Sequence, residues 1–349
     1  MSKLKKPSVR CRSVGRFFFA LTVSALILHA CTPPPQLQKI NGEAQGSFYT
    51  VQYYDPLQRN LRASIDTFLA GFDQEASLWE DSSLLRRLNC NQTDSLSPLL
   101  ADMLEKSLYI HDYTDGAFDC RIGRIVQAWG FSFKQRQTLD STTLDSLLRF
   151  AHGHIAASCG RLIKQYPQTE LDFNAIAQGY ATDLLAAKLD SLGIENYLIN
   201  IGGEMIVRGQ KPNGKPWHIG VERPAADSLS MPEVQTSIAL RDAALVTSGN
   251  YRKYYEKDGQ RYSHTIDPAT GRPVQHSLLS ATVVEKDCWL ADAMATAYMV
   301  MGLDRARAFI ASHPNGPGTS AVMLIYYEDG QMQTYTTQAF ESLVIHKAK

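Results

Sequence analysis

Residues 261–302 read RYSHTIDPATGRPVQHSLLSATVVEKDCWLADAMATAYMVMG, and the residue pattern changes character three times along this stretch. A β-rich segment over residues 260–265 gives way to the turn-forming sequence DPATGRP. An apolar strand follows at residues 281–285, and residues 290–301 have the length and composition of a buried helix. The stretch therefore predicts strand, turn, strand and helix, with polar side chains at a strand tip and on the helix.

The rest of the chain extends this pattern, with helices early and strands late. Helices are predicted at residues 60–72, 98–111, 175–192 and 304–312, with a short one that Ser82 or Ser83 caps and that ends near Asn89. Strands are predicted at residues 47–54, 197–201, 204–208, 217–221, 235–240 and 244–247, with a last hairpin at 322–327 and 332–336. This order predicts an α+β fold of mixed or antiparallel sheet with flanking helices, as one domain or two packed lobes.

The N-terminus has the features of an export signal. Residues 1–16 contain six basic and no acidic side chains, and an apolar run over residues 17–30 follows. Ala30 before Cys31, with Leu28 two places earlier, matches the lipobox that directs lipidation of bacterial lipoproteins. We expect a signal peptide at 1–30, a lipidated Cys31 with a tether at 31–42, and the folded domain at 43–349, exported to a bacterial membrane and facing the periplasm.

Charge and cysteine content exclude several functions. The chain has 35 basic and 35 acidic residues, and loss of the signal would leave 29 basic and 35 acidic ones, which gives no support to nucleic-acid binding. Cys90, Cys120, Cys159 and Cys288 have no CxxC spacing, so a zinc site is not expected. They are either buried free thiols or members of one or two disulfides whose pairing the sequence does not define.

Asp292 and Thr296 are spaced to lie one turn apart on one face of the predicted helix. A carboxylate is the usual hard ligand of Mg²⁺, and a hydroxyl can fill another coordination position. The alternative is structural, because an Asp early in a helix serves the helix dipole and a mid-helix Thr bonds its own backbone.

The strand tip and turn at residues 264–273 offer two candidate catalytic groups. His264 can titrate near neutral pH and act as a general base, or it can cap the edge of the sheet. Asp267 is a second candidate, although an Asp at this place in a turn commonly bonds to backbone amides.

Other short segments combine small residues with polar groups. Residues 247–251 (TSGNY) predict a tight turn whose amides and hydroxyls, at Ser248 and Gly249, could hold phosphate oxygens. Residues 171–179 run into a helix N-terminus, which favours anions such as a pyrophosphate. Residues 202–203 and 115–119 are weaker signals of the same kind.

The order and spacing of these segments resemble the ApbE family of flavin transferases, which act on FAD and a protein hydroxyl. The resemblance covers roughly residues 43–340. It rests on the segments at residues 46–49, 81–89, 116–119 with 129–131, 172–183, 200–203, 247–251, 264–273 and 291–296.

The resemblance implies a reaction and a metal site. FAD would be bound, its pyrophosphate split, FMN joined through its phosphate to a Thr or Ser of a target protein, and AMP released. Mg²⁺ would be held by Asp292, Thr296 and an oxygen at Ala175, where only the backbone carbonyl is available. His264 would be the first candidate base, with Asp267 as the alternative.

The resemblance also implies contacts to the flavin and adenine parts of FAD. By position, these fall on Gln45, Trp79, Ala117, Phe118, Asp119, Asp172, Gln178 and Thr265. Trp79 could stack on a ring or belong to the core. Many relatives have Lys at the place of Gln178 and Met at the place of Gln45, so these two contacts differ from the family pattern.

The implied partners are flavoprotein subunits of membrane redox complexes, such as the sodium-pumping quinone reductase or its Rnf relatives. Two other functions fit the same residues. In a Mg²⁺-dependent FAD pyrophosphatase, water would replace the protein hydroxyl, and a flavin-binding lipoprotein would hold FAD without chemistry.

Overall fold

The computed structural model describes residues 36–131, 139–224, 233–250, 254–257 and 260–347. The helices in this part of the chain are α1 (Arg62–Ala76), α2 (Leu84–Asn89), α3 (Pro98–Tyr113), α4 (Gly123–Ala128), α5 (Ser141–Ala151), α6 (Ala177–Ser191), α7 (Cys288–Ser312) and α8 (Gln338–Leu343). Within these residues, no helix has both the length and the apolar composition needed to span a bilayer.

The strands are β1 (Leu37–Ala44), β2 (Ser47–Tyr54), β3 (Ile155–Ser158), β4 (Arg161–Lys164), β5 (Asn196–Ile201), β6 (Glu204–Arg208), β7 (Trp217–Glu222), β8 (Val234–Leu240), β9 (Ala243–Gly249), β10 (Tyr254–Lys257), β11 (Gln260–Ser263), β12 (Ile266–Asp267), β13 (Arg272–Pro273), β14 (Leu278–Glu285), β15 (Ala321–Glu328), β16 (Gln331–Thr336) and β17 (Val344–Lys347). Eight of them form one antiparallel sheet in the order β1-β2-β5-β6-β9-β14-β15-β16. The α+β prediction is confirmed.

The main sheet is covered on both faces. On one face, Tyr49, Val51 and Tyr53 of β2 are buried in a large core that includes residues of α1, α3, α6 and α7. On the other face, a three-stranded sheet in the order β17-β8-β7 and helix α8 enclose a second core around Trp217 and Phe340. Because both faces are buried, β14 and β15 are nearly continuous apolar runs instead of alternating ones.

The strand register separates two ends of the main sheet. At one end lie the turns Gln45–Gly46 and Gly202–Gly203 and the last residues of β9. At the other end β1 begins with Leu37 opposite Tyr54. We call these the site end and the N-terminal end.

One sequence prediction about these elements was wrong in detail, and another was confirmed. Residues 37–42 were assigned to the tether but form most of β1, which pairs along its whole length with β2. The two helices predicted at 290–301 and 304–312 are confirmed, because α7 consists of two helical stretches separated by a kink at Gly302, whose φ of 72° is not helical. Glycine adopts that left-handed conformation without the penalty of a Cβ.

All four cysteines of the described part are free thiols, so the disulfide alternative is not realised there. Cys120 and Cys288 are buried, whereas Cys90 and Cys159 are exposed. The predicted signal peptide and the predicted lipidation site at Cys31 lie outside the described residues.

Candidate functional site

Helix α7 carries the predicted metal pair beside strand β9 and helix α6. Asp292 is 4% exposed, and its Oδ2 accepts a hydrogen bond from the backbone N–H of Gly179 at 3.0 Å. The hydroxyl of Thr296 lies 3.3 Å from that of Ser248. The structure therefore brings Asp292, Thr296 and Ser248 together, near the site end of the sheet.

Gly179 allows α6 and α7 to approach this closely. A Cβ at this position would lie 2.5 Å from the carbonyl oxygen of Cys288 and 2.8 Å from the Cβ of Asp292. Real Cβ atoms do not tolerate such separations, so a side chain here would push the helices apart. The glycine is required by the contact between the helices and not by its own φ.

Ala175 lies in the turn that precedes α6. In a continuous helix its carbonyl would accept from the amide of Gly179, but that amide donates to Asp292 instead. The three candidate ligands are therefore a carboxylate, a hydroxyl and a backbone carbonyl, and oxygen donors of these kinds suit Mg²⁺. Among the described residues, no group of three or more His, Cys, Asp or Glu side chains is arranged to hold a metal. A cation here would rely on neutral oxygens besides the single carboxylate.

Burial dominates the electrostatics of this site. Burial, and to a smaller extent the nearby carboxylate of Asp183, raises the pKa of Asp292 to about 7, against the lowering effect of the hydrogen bond from Gly179. Burial also raises the pKa of Asp183 to about 6. Two carboxyl groups are thus held close together in a poorly solvated place, where a bound cation would favour their ionised forms.

The prediction of a phosphate-binding turn at residues 247–251 was wrong for Ser248 and Gly249. Ser248 and Gly249 belong to β9, and they pair with Ala281 and Ser280 of β14. Ser248 therefore offers its hydroxyl, beside Thr296, but not the free amide of a tight turn. Tyr251 lies outside the described residues.

The turn that carries His264 and Asp267 is fixed by several contacts. The hydroxyl of Thr265, which is buried, donates to Oδ1 of Asn250 at 2.8 Å, directly after β9. The indole N–H of Trp129 donates to the carbonyl of Gly271 at 2.7 Å. The half-buried His264 is therefore held on a fixed backbone, one residue from Thr265 and close to the end of β9.

Asp267 has the structural role that its sequence left open. Its Oδ1 accepts from the N–H of Ala269 at 2.9 Å and its Oδ2 from the hydroxyl of Thr270 at 3.1 Å. Both carboxylate oxygens are thus engaged within the turn itself. This leaves His264 as the better placed of the two candidate bases.

A second group of predicted residues surrounds Asp119. Its carboxylate accepts from Nε and Nη2 of Arg121, each at 2.8 Å, and the imidazole of His111 lies against the same guanidinium. The backbone N–H of Asp172 donates to the carbonyl of Cys120 at 2.7 Å, which brings Asp172 beside this group. Burial raises the pKa of Asp172 to about 6.

Ala117 and Phe118 precede Asp119, and their side chains are buried in the core. Any contact that they make with a ligand must therefore involve the backbone. The sequence did not predict this, because small and aromatic residues near a carboxylate are equally compatible with a binding surface.

Gln45, Trp79 and Gln178 lie on other segments of the fold than Asp119 does. Gln45 has a φ of 54° in the β1–β2 turn, and neither end of its buried carboxamide has a hydrogen-bond partner among the described residues. Trp79 is 58% exposed, so it is not a core residue and its ring is open to a ligand. The carboxamide of Gln178 packs against Gly202, where a Cβ would lie 2.5 Å from its Nε2.

Comparison with known proteins places this geometry in a family. The sequence model of the ApbE family matches residues 45–321. The chain belongs to the ApbE family.

Relatives and solved structures agree with the ApbE match. The FAD:protein FMN transferase of Vibrio cholerae serotype O1 is 32% identical over 336 residues, which span 93% of this chain and 98% of the relative. The structure of the flavin transferase ApbE from Vibrio cholerae superposes with a TM-score of 0.77 at 31% identity, covering 89% of this chain and all of that one. The crystal structure of the Pseudomonas stutzeri flavinyl transferase ApbE, apo form, gives a TM-score of 0.79 at 29% identity, over 91% of this chain and all of that one.

The ApbE match contains every candidate residue from Gln45 to Thr296 and leaves Cys31 outside. Two residues of the site escaped sequence analysis. Arg121 follows Asp119 by two positions, a spacing that could have suggested an ion pair. Asp183 lies 105 positions before Cys288, whose amide it accepts a hydrogen bond from, and no local sequence pattern predicts a contact between residues so far apart.

Proposed function

We propose that this chain is a Mg²⁺-dependent FAD:protein FMN transferase. The observation that carries the proposal is the buried face of α7, where Asp292 and Thr296 meet Gly179 and Ser248 in a chain of the ApbE family. Relatives that span nearly the whole chain have that name.

The reaction exchanges one bond to phosphorus for another. The hydroxyl oxygen of a Thr or Ser in the acceptor attacks the FMN-side phosphorus of FAD, and a phosphoester bond forms as the bridging P–O bond breaks. AMP leaves with the bridging oxygen, and the hydroxyl proton passes to a base. The positioning and charge stabilisation that such a transfer needs must come from the site.

Asp292, Thr296 and the carbonyl of Ala175 would hold the cation. Mg²⁺ held by these residues would supply neutralisation of the pyrophosphate charge and stabilisation of the leaving phosphate. The donor set fits this ion. Burial raises the pKa of Asp292, and the same burial favours a bound cation, because a cation stabilises the ionised carboxylate. Thr296 lies one helical turn further, with its hydroxyl at the edge of the site beside Ser248.

His264 is the proposed base because the carboxylate of Asp267 is engaged in its own turn. Its backbone is held through Thr265 and Asn250 next to the end of β9, which also carries Ser248. His264→Asn should therefore slow the transfer at neutral pH more than it weakens FAD binding. Equal losses in the two measurements would indicate a binding or structural role instead.

Gln45, Trp79 and Gln178 are the strongest candidates for contact with FAD. Trp79 offers an exposed ring for stacking, and Gln45 offers a donor and an acceptor that have no protein partner in the described residues. Asp119 and Asp172 lie close together, because the N–H of Asp172 donates to the carbonyl of Cys120, and we assign both to contact with the dinucleotide, with Thr265 close to the reacting phosphates.

The proposal includes export and lipidation at Cys31, with the protein facing the periplasm and acting on flavoprotein subunits of membrane redox complexes. From Cys31 to Leu37 the chain can span roughly 20 Å at full extension. Since β1 begins at the N-terminal end of the sheet, the tether would leave the site end pointing away from the bilayer.

One assay tests the activity. The mature protein is incubated with FAD, Mg²⁺ and a candidate acceptor, and AMP release and acceptor mass are followed. An FMN phosphate adduct on the acceptor, with AMP in equal amount, is the expected result. AMP without an adduct would mean hydrolysis by water, and neither product would mean storage of FAD; either outcome contradicts the proposal.

A further inference from the structure

The first turn of α7 is capped by a residue of another helix. The N-cap residue, Asp287, makes no side-chain capping bond. Asp183 of α6 provides it instead, because its Oδ1 accepts from the N–H of Cys288 at 2.9 Å and its Oδ2 from the N–H of Trp289 at 2.8 Å. Two of the amides that a helix start leaves unpaired are thereby satisfied across the interface.

The exchange is reciprocal. Asp292 of α7 accepts from the N–H of Gly179, in the first turn of α6, while Asp183 of α6 accepts from the first turn of α7. Each helix thus places a carboxylate at the start of the other, where the helix dipole favours negative charge. With the close approach at Gly179, three hydrogen bonds fix how far one helix can slide along the other.

We infer that Asp183 is a positioning residue that sets the register of α7 against α6 and thereby places Asp292 and Thr296 opposite the carbonyl of Ala175. The inference rests on the proposed metal site. The candidate ligands come from α7 and from the turn that precedes α6, so a shift of about 1 Å between the two helices would spoil an octahedral set. Partners that hold metal ligands in place commonly affect affinity about 10- to 100-fold.

A role of Asp183 as a direct ligand fits the geometry less well. Each of its oxygens already accepts from an amide of α7, so both are directed at the helix start. Its contribution is to hold the helix that carries Asp292, four residues beyond Cys288.

The test measures binding of Mn²⁺, as a paramagnetic substitute for Mg²⁺, to the full-length mature protein without FAD. Asp183→Asn keeps the size of the side chain and one acceptor oxygen, and Asp183→Ala keeps neither acceptor. We expect the Kd for Mn²⁺ to rise about 10- to 100-fold in the Asn variant and further in the Ala variant. Amide hydrogen exchange at residues 288–292 should quicken in the same order, and if the Ala variant does not fold, the Asn variant decides.

Asp190→Asn is the matched control. Asp190 is an exposed residue of the same helix, and its Oδ1 accepts a hydrogen bond from the hydroxyl of Tyr197 at 2.8 Å. Asp190→Asn changes the net charge of the protein by the same amount as Asp183→Asn. Its Kd for Mn²⁺ should equal that of the wild type. Equal Kd values for the two Asn variants would overturn the positioning role alone. A wild type that binds no Mn²⁺, or an Asp292→Ala variant that binds it as tightly as wild type, would remove the proposed site and this inference with it.

Discussion

Two regions of the protein bury a carboxylate, and they balance its charge in opposite ways. Around Asp119 the counter-charge is internal, because Arg121 donates two hydrogen bonds of 2.8 Å to the carboxylate and both side chains are nearly inaccessible to water. Around Asp292 the described residues form no ion pair, and the carboxylate accepts from a backbone amide while Asp183 lies close by. Asp119 has its counter-charge within the chain, whereas the buried charge of Asp292 would be relieved by a cation from outside.

The comparison separates structural from functional burial of charge. A buried ion pair contributes little net stability but is costly to break from one side. Burial raises the pKa of the carboxyl groups of Asp292 and Asp183, and groups with such shifted pKa values concentrate at functional sites. Removal of Asp292 should therefore lower activity and leave the fold intact, whereas removal of Arg121 should lower the stability of the fold.

The largest effect is expected from Asp292→Ala. Loss of the ligand should lower Mg²⁺-dependent AMP release by about a thousandfold, since a bound metal supplies several kcal/mol of charge stabilisation. The variant should stay folded, because the lost bond to Gly179 is offset by removal of a buried charge. AMP release and circular dichroism are the measurements. Asp287→Ala is the control. It removes a carboxylate at the start of the same helix that makes no capping hydrogen bond, and the variant should keep nearly full activity. Full activity of Asp292→Ala at limiting Mg²⁺ would refute the assignment.

Arg121→Met should destabilise the fold instead. It leaves the buried carboxylate of Asp119 without its cation, a loss worth about 3–5 kcal/mol in the free energy of unfolding. Arg124→Met is the control, because its ion pair with Glu170, at 3.3 Å, involves a side chain that is 38% exposed and should cost less than about 1 kcal/mol. Denaturant unfolding measures both. If the two variants lose the same stability, Asp119 is not held by an internal counter-charge.

The sequence predicted those parts of this arrangement that depend on local pattern. Strand β2 was predicted correctly, and Ser83, one of the two residues proposed as the cap of α2, is the cap, because β-propensity and capping act over a few residues. The pairing of Asp292 with Thr296 was likewise visible as helical spacing.

The parts that were wrong or absent depend on distant partners. Strand β1 has few β-branched residues and is ordered by its pairing with β2. Ser248 and Gly249 were assigned to a turn, but they stay in β9 because β14 continues the ladder beside them. The bonds from Asp183 to α7 join residues more than 100 positions apart. Such contacts exist only once the sheet has brought the elements together.

Gly179→Ala should have a smaller effect than either charge change. The new methyl group would have to displace the backbone of Cys288, and overpacking of this kind costs about 1–3 kcal/mol. Binding of Mg²⁺ should weaken as well, because the shift separates α6 from α7. Gly71→Ala in α1 is the control, since nothing lies within 4 Å of its Cβ position, and it should be neutral or slightly stabilising. Equal unfolding temperatures for the two variants would show that the helices are not in tight contact.

The smallest expected effect is the pH dependence of metal affinity. In the metal-free protein the carboxyl of Asp292 has a pKa raised to about 7, so it is protonated when folded over a range where the unfolded chain is ionised. Its contribution to stability is therefore fully present below about pH 4 and is lost as the pH rises through about 7. A cation needs the ionised form, so its affinity should fall about tenfold for each pH unit below 7 and level off above it. Calorimetric titration with Mg²⁺ between pH 5.5 and 8 measures this slope. A flat profile would mean that Asp292 is ionised throughout or is not a ligand, and the contrast with Asp119 would then disappear.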